Sequence, residues 1–175
     1  AVGIGLNVLL GLAGQISLGH AAFYAIGAYT AAILATALGW NMFAGALAAA
    51  LISAAAGATL SLPALRVRGP YLAMITIAFG FVVEQGIAEW KSLTGGWNGL
   101  MNIPKPSLGT YNFDERDLAL LCVLLTGGLM LGFHRLHASR WGLMLRATRD
   151  AEVAAQSLGA NLIVARTLAF AISAG

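Results

Sequence analysis

Charge is scarce in this chain of 175 residues: Asp, Glu, Lys and Arg make up 10% of it, against about 25% in an average soluble domain. So few charges cannot clothe a water-facing globule, and the chain falls in the membrane class. Cysteine is nearly absent. Cys122 stands alone inside a hydrophobic run, which excludes an intrachain disulfide or a Cys-cluster metal site within these residues. No G-x-x-x-x-G-K-[ST] loop occurs, so the chain does not hold ATP in the P-loop manner, and any ATP-driven step needs a separate subunit. Low-complexity segments and clean internal repeats are missing too. A net charge of +3 gives no reason to invoke nucleic acid.

What is present is long apolar runs. Leu18–Leu38 has His20 as its one group titrating near neutral pH, and Met42–Leu62 has no charge at all. About 20 apolar residues at 1.5 Å each cross a hydrocarbon core of about 30 Å, so both are expected to span. A third span is expected over 71–90, opened by Pro70 in the first helical turn, where its missing N–H costs little. A fourth, over 118–133, is short and carries Gly127-Gly128. Residues 1–13 and 162–175 are apolar but too short to cross alone. With residue 1 not Met, we expect an internal fragment of a longer permease-like protein; a cleaved signal peptide does not fit, because no soluble mature domain follows. The expected fold is all-α, a polytopic transmembrane helical bundle. Gly27/Ala31, Gly45/Ala49 and Gly128/Gly132 are spaced to let helix backbones approach closely.

Threading the four spans places Arg66, Arg68, Arg135, Arg140, Arg146, Arg149 and Arg166 on one side and Lys91, Lys105 and Arg116 on the other. Lys and Arg in short loops stay on the cytoplasmic side, so the seven-residue side is expected to be cytoplasmic. The loop 91–117 then faces outward, with Trp90, Trp97, Tyr111 and Phe113 placed for the interface.

Polar residues inside the spans are candidates for a path. Glu84 lies within the third span, where an unpaired carboxylate costs about 3 kcal/mol, so it is expected to face protein or water. It either hydrogen-bonds a neighbouring helix or lines a translocation path. Gln15, Ser17 and His20 gather between Gly14 and Gly19 just before a span; glycine beside polar groups suggests bent backbone, which lipid tolerates only where protein buries it or a cavity is lined. A hydrolase built on Ser17 and His20 lacks a third, orienting group. A proton-coupled secondary transporter working through Glu84 is the alternative to an ATP-driven one.

One stretch breaks the hydrophobic pattern. In "RATRDAEVAAQSLGANL", Arg146, Arg149, Asp150 and Glu152 crowd together. On one helix over about 143–158, Met144, Ala147, Ala151, Ala154 and Leu158 form an apolar stripe, while Arg146–Asp150 and Arg149–Glu152 pair along the helix. Gly159 offers a left-handed cap. Such a helix suits either a groove on another protein or the lipid headgroup layer.

The blocks "GLAGQISLGHAAFYAIGAYTAAIL", "VRGPYLAMITIAFGFVVEQ", "SLTGGWNGL" and "GLMLRATRDAEVAAQSLGAN" together cover most of the chain. In that order they resemble the membrane permeases of ABC importers for branched-chain amino acids, the Liv type, and the M-type subunit more than the H-type. The last block is similar to the cytoplasmic coupling motif E-A-A-x-x-x-G, a helix that docks into the ATPase subunit. Here Ala154, Ala155 and Gly159 match, Val153 stands where the motif has Glu, and Glu152 lies one place earlier. The resemblance implies an ATPase-coupling site of Arg146, Arg149, Glu152, Ala154, Ala155 and Gly159, while Gln15, Ser17, His20 and Glu84 stay the candidates for the path on their polarity within the spans. It implies no catalytic residue, metal or cofactor on this chain, with ATP on a partner. The implied partners are a second permease subunit, ATP-binding subunits and a periplasmic substrate-binding protein, all at a bacterial plasma (inner) membrane. Relatives with these blocks serve branched-chain amino acids, urea, short amides or aromatic acids.

Overall fold

The computed structural model describes residues 2–64, 67, 70–101, 103, 107–108 and 111–175. Arg66, Arg68 and Lys105 lie outside the described residues, as does the side chain of Tyr111. The chain is a helical bundle: α1 (Val2–Leu6) running into a π-helical segment (Asn7–Leu12), α2 (His20–Ala37), α3 (Met42–Ala64), α4 (Pro70–Glu89), α5 (Lys91–Thr94), α6 (Glu115–Ala138), α7 (Arg140–Asp150), α8 (Glu152–Ser157) and α9 (Leu162–Ala174). Two-residue strands, β1 (Ser107–Leu108) and β2 (Tyr111–Asn112), pair antiparallel between α5 and α6. Among the described residues, four helices are long and apolar enough to cross a membrane: α2, α3, α4 and α6.

Local chemistry explains most boundaries. The fourth span runs beyond the expected 118–133 at both ends. Asp114 and Asp117 close a reciprocal cap on the first N–H groups of α6, and Arg135 and His137 sit in its last turn, where the carbonyl end of the helix dipole favours positive charge. Ser139 then accepts from the Gly142 N–H at 3.2 Å. A Cβ on Gly142 would strike the carbonyls of Leu136 and His137, so the tight corner into α7 requires glycine there. Asn161 Oδ1 opens α9 by accepting from Ile163 and Val164. In "SLTGGWNGL" the Thr94 hydroxyl donates to the Ile87 carbonyl at 2.6 Å, and Gly95 adopts φ 75° where a Cβ would meet Gly99 backbone. Trp90 and Trp97 are exposed beside this turn.

The core centres on the two short segments, joined by one residue from each of α2, α3 and α4. Its buried members are Val8, Leu9 and Leu12 of the π segment, Ala165, Ala169 and Phe170 of α9, and Phe23, Leu60, Leu72 and Leu145 around them. The two segments too short to span are the hub that the long helices wrap. Gly27 packs toward Ser53 and Gly45 toward Ala31, so two small-residue pairs bring α2 and α3 together. The third pair, Gly128/Gly132, meets nothing within 4 Å and faces a cavity.

Candidate functional site

The first site element is the stretch between Leu12 and His20. Gly14 takes φ 65°, which only glycine adopts without strain, and the Gln15 N–H closes on the Leu9 carbonyl at 2.9 Å. The chain then doubles back without regular secondary structure. His20 returns to the level of Gly5, because Ser173 Oγ touches both. Burial alternates along this non-helical leg: Gln15 and Ser17 are buried, while Ile16 and Leu18 are exposed. The leg is pinned to α4, with the Leu18 N–H donating to Thr76 Oγ1 at 3.0 Å and Gly19 flush against the Thr76 carbonyl, where a Cβ has no room.

The buried polar atoms here have a defined sense. Ser173 gives its one hydroxyl proton to the Gly5 carbonyl at 2.6 Å. His20 Nε2, 2.7 Å from Ser173 Oγ, must therefore be the donor in that pair, which leaves His20 Nδ1 a bare acceptor. His20 Nδ1, Ser17 Oγ and Gln15 Oε1 are all buried and make no hydrogen bond among the described residues. They line different spaces. His20 borders a cavity of about 760 Å³ between α1, α2, α3, α6 and α9; His20 and Ser17 border one of about 450 Å³; Gln15 borders one of about 190 Å³ with Arg149, Glu152 and Arg166. The leg is thus a partition carrying unpaired hydrogen-bonding groups between an apolar space and a basic one. Ser17 is not hydrogen-bonded to His20, so the nucleophile–base pair of a hydrolase is not formed.

Glu84 does not join this group. It is exposed on α4, about 12 Å of helix beyond Thr76, and five residues short of that helix's end at Glu89.

The second element is the bracket α7–α8. The single helix expected over about 143–158 is two, broken at Ala151 with φ −148° and ψ 78°. No Pro or Gly breaks it; tertiary ties do. Arg149 donates to the Gly11 carbonyl, while Glu152 pairs with Arg166 of α9 at 3.0 Å, so the two halves are held by different helices. The expected pairs along one helix are corrected accordingly. Arg149 pairs with Asp150 at 2.7 Å, and Arg146 donates to His137 Nε2 at 3.0 Å and to its carbonyl. The hydrogen bond from Arg149 holds the exposed Asp150 carboxyl below its ordinary pKa, and the same bond raises that of Arg149.

The break also resets which residues face in. Leu145 and Ala155 are buried, whereas Ala154, Val153 and Leu158 are exposed, Leu158 at 89%. Ala154 and Ala155 therefore cannot serve one contact in the same way. Val153 and Leu158 are the most exposed apolar side chains here, and Leu158 lies one turn after Ala154 on the same side of α8. Gly159 follows at φ 88°, its N–H donating to Gln156 and that of Ala160 to Ala155, both at 2.9 Å.

Residues 1–175 match the family described as branched-chain amino acid transport system, permease component. This chain belongs to that family. Two of its relatives are the high-affinity branched-chain amino acid transport system permease proteins LivM of Salmonella typhimurium, 37% identical, and of Escherichia coli, 36% identical. Each comparison covers 99% of this chain and 46% of the relative, so the chain spans about half the length of those permeases. No solved structure matches it. The Liv-type resemblance read from the sequence is borne out, and the bundle described above is that of a multi-pass membrane permease.

Proposed function

We propose that this permease is the membrane-spanning part of an ATP-driven ABC importer in a bacterial inner membrane, moving branched-chain amino acids or related small polar solutes into the cytoplasm. The observation that carries the reading is the bare apolar edge of Ala154 and Leu158 at α8, presented beside the Gly159 turn at the end of the bundle that gathers Arg146, Arg149 and Arg166. A helix of six residues with such an edge leaves it uncovered unless a partner groove takes it. ATP-binding subunits are that partner, and they hold the nucleotide; a second permease subunit and a periplasmic binding protein complete the assembly. The acceptors of Gln15, Ser17 and His20 line the path and receive hydrogen bonds from the passing solute. Glu84, exposed and remote from the cavities, lends no support to a proton-coupled mechanism.

The test is co-purification of the ATP-binding subunits and substrate-stimulated ATP hydrolysis in reconstituted membranes. Ala154→Arg should abolish both while insertion is unaffected, because it sets a large charge on the docking edge. Wild-type binding and stimulation in that variant would reduce α8 to a helix lying on lipid.

A further inference from the structure

We infer that Arg149 is a strap inside the permease, not a contact with the ATPase: it ties the α7–α8 bracket to the turn at which the chain reverses into the non-helical leg carrying Gln15, Ser17 and His20. The inference rests on the importer reading above and deepens it, by naming the internal link through which the bracket reaches the path.

Three independent features converge on the strap. The helix formed by α1 and the π segment ends at the basic end of the bundle, where its last carbonyls have no helical partner. Arg149 donates to one of them, that of Gly11, and places its positive charge at the negative end of the helix dipole. Second, Gly14 is glycine for two reasons: its φ of 65°, and the stem of Arg149, which lies where a Cβ at Gly14 would be. Third, Asp150 accepts from Arg149 Nε at 2.7 Å, which aims the rest of the guanidinium at Gly11. Leu145, one turn earlier on α7, is buried in the same cluster as Val8, Leu9 and Leu12, so α7 and the π segment move as one packed unit. Glu152–Arg166 fastens the other half of the bracket to α9, whose Ser173 holds His20. A displacement of the bracket is therefore delivered to both ends of the acceptor cluster, to Gln15 through Arg149 and to His20 through α9.

The experiment uses the full permease assembled with its ATP-binding subunits and reconstituted into vesicles. Arg149→Met is expected to lower ATP-driven uptake at least tenfold while the ATP-binding subunits co-purify at the wild-type level. Arg149→Lys, which keeps the charge and one donor, should recover part of the uptake. A second reading needs no ATPase: in membranes carrying the permease alone, with Cys122→Ser as background, a cysteine placed by Ser17→Cys should react severalfold faster with a water-soluble maleimide when Arg149→Met is also present. Gly14→Ala attacks the same contact from the other side, so it should raise labelling likewise, and the pair combined should be no worse than the worse single variant. Loss of the ATP-binding subunits in Arg149→Met, with Ser17→Cys labelling unchanged, would make Arg149 an ATPase contact and overturn the strap; so would wild-type uptake. If the unmodified permease holds no ATP-binding subunits and shows no ATP-driven uptake, the importer reading fails, while the labelling still decides the strap.

Discussion

Helices α6 and α9 look interchangeable as hydrophobic segments, yet they play opposite parts. α6 has 24 residues with an 18-residue stretch of mean hydropathy 1.7, and none of it is buried. α9 has 13 residues, too few to cross, and buries Ala165, Ala169, Phe170 and Ser173. In lipid there is no hydrophobic drive to hide an apolar helix, since acyl chains are as apolar as leucine; close packing of small surfaces decides which helices meet. Gly57 of α3 lies so close to the Phe170 carbonyl of α9 that a Cβ would have no room. Gly127, Gly128 and Gly132 of α6 meet nothing within 4 Å.

That contrast can be broken most severely at the two glycine surfaces. Gly57→Leu should separate α3 from α9 at a cost of several kcal/mol, seen as loss of monodisperse permease in detergent and a large fall in thermal midpoint. Gly128→Leu, in open space, should leave both unchanged. Equal damage from the two would mean that α6 is packed as tightly as α9.

A smaller effect sharpens the same contrast between fold and function at the bracket. Gly159→Val forces a β-branched residue into φ 88°, a strain of about 1–3 kcal/mol, although nothing lies within 4 Å of the new Cβ. Retention of the ATP-binding subunits should fall well below wild type, while Gln156→Ala, exposed on α8, should hold them normally. Equal retention by both would remove the turn from the docking geometry.

The smallest effect concerns Asp150. Its carboxyl is held below the ordinary value of about 4 by Arg149, so its contribution is present above that value and is lost as pH falls through the lowered folded pKa. The thermal midpoint of wild type should exceed that of Asp150→Asn slightly near neutrality, and the gap should close in acid. A gap that widened on acidification would contradict the pairing.

Much of the architecture was legible because hydropathy and run length are local properties. The spans 18–38, 42–62 and 71–90 correspond closely to α2, α3 and α4, since a bilayer of given thickness selects length before any packing occurs. The fourth was read short at 118–133 because His134, Arg135 and His137 lower the hydropathy of turns that are still helical. The glycines and polar residues at 14–20 marked bent backbone, and the alternation Gln15-Ile16-Ser17-Leu18 matches the alternating burial found there. The Gly159 cap was visible in the same way, as residue chemistry at a turn.

What the residues alone determined, then, is composition-level and local: an all-α membrane permease of the Liv type, the lengths of most spans and the left-handed cap at Gly159. Tertiary structure decided where these pieces bind one another. It split the helix expected over 143–158 at Ala151, because Arg149 is drawn to Gly11 and Glu152 to Arg166, partners distant in sequence. It turned Ala155 inward and left Ala154 out, and it took Glu84 away from the acceptors of Gln15, Ser17 and His20. Helical periodicity carries no information about such contacts, because a side chain's partner across the bundle is set by the packing of other helices and not by the spacing along its own.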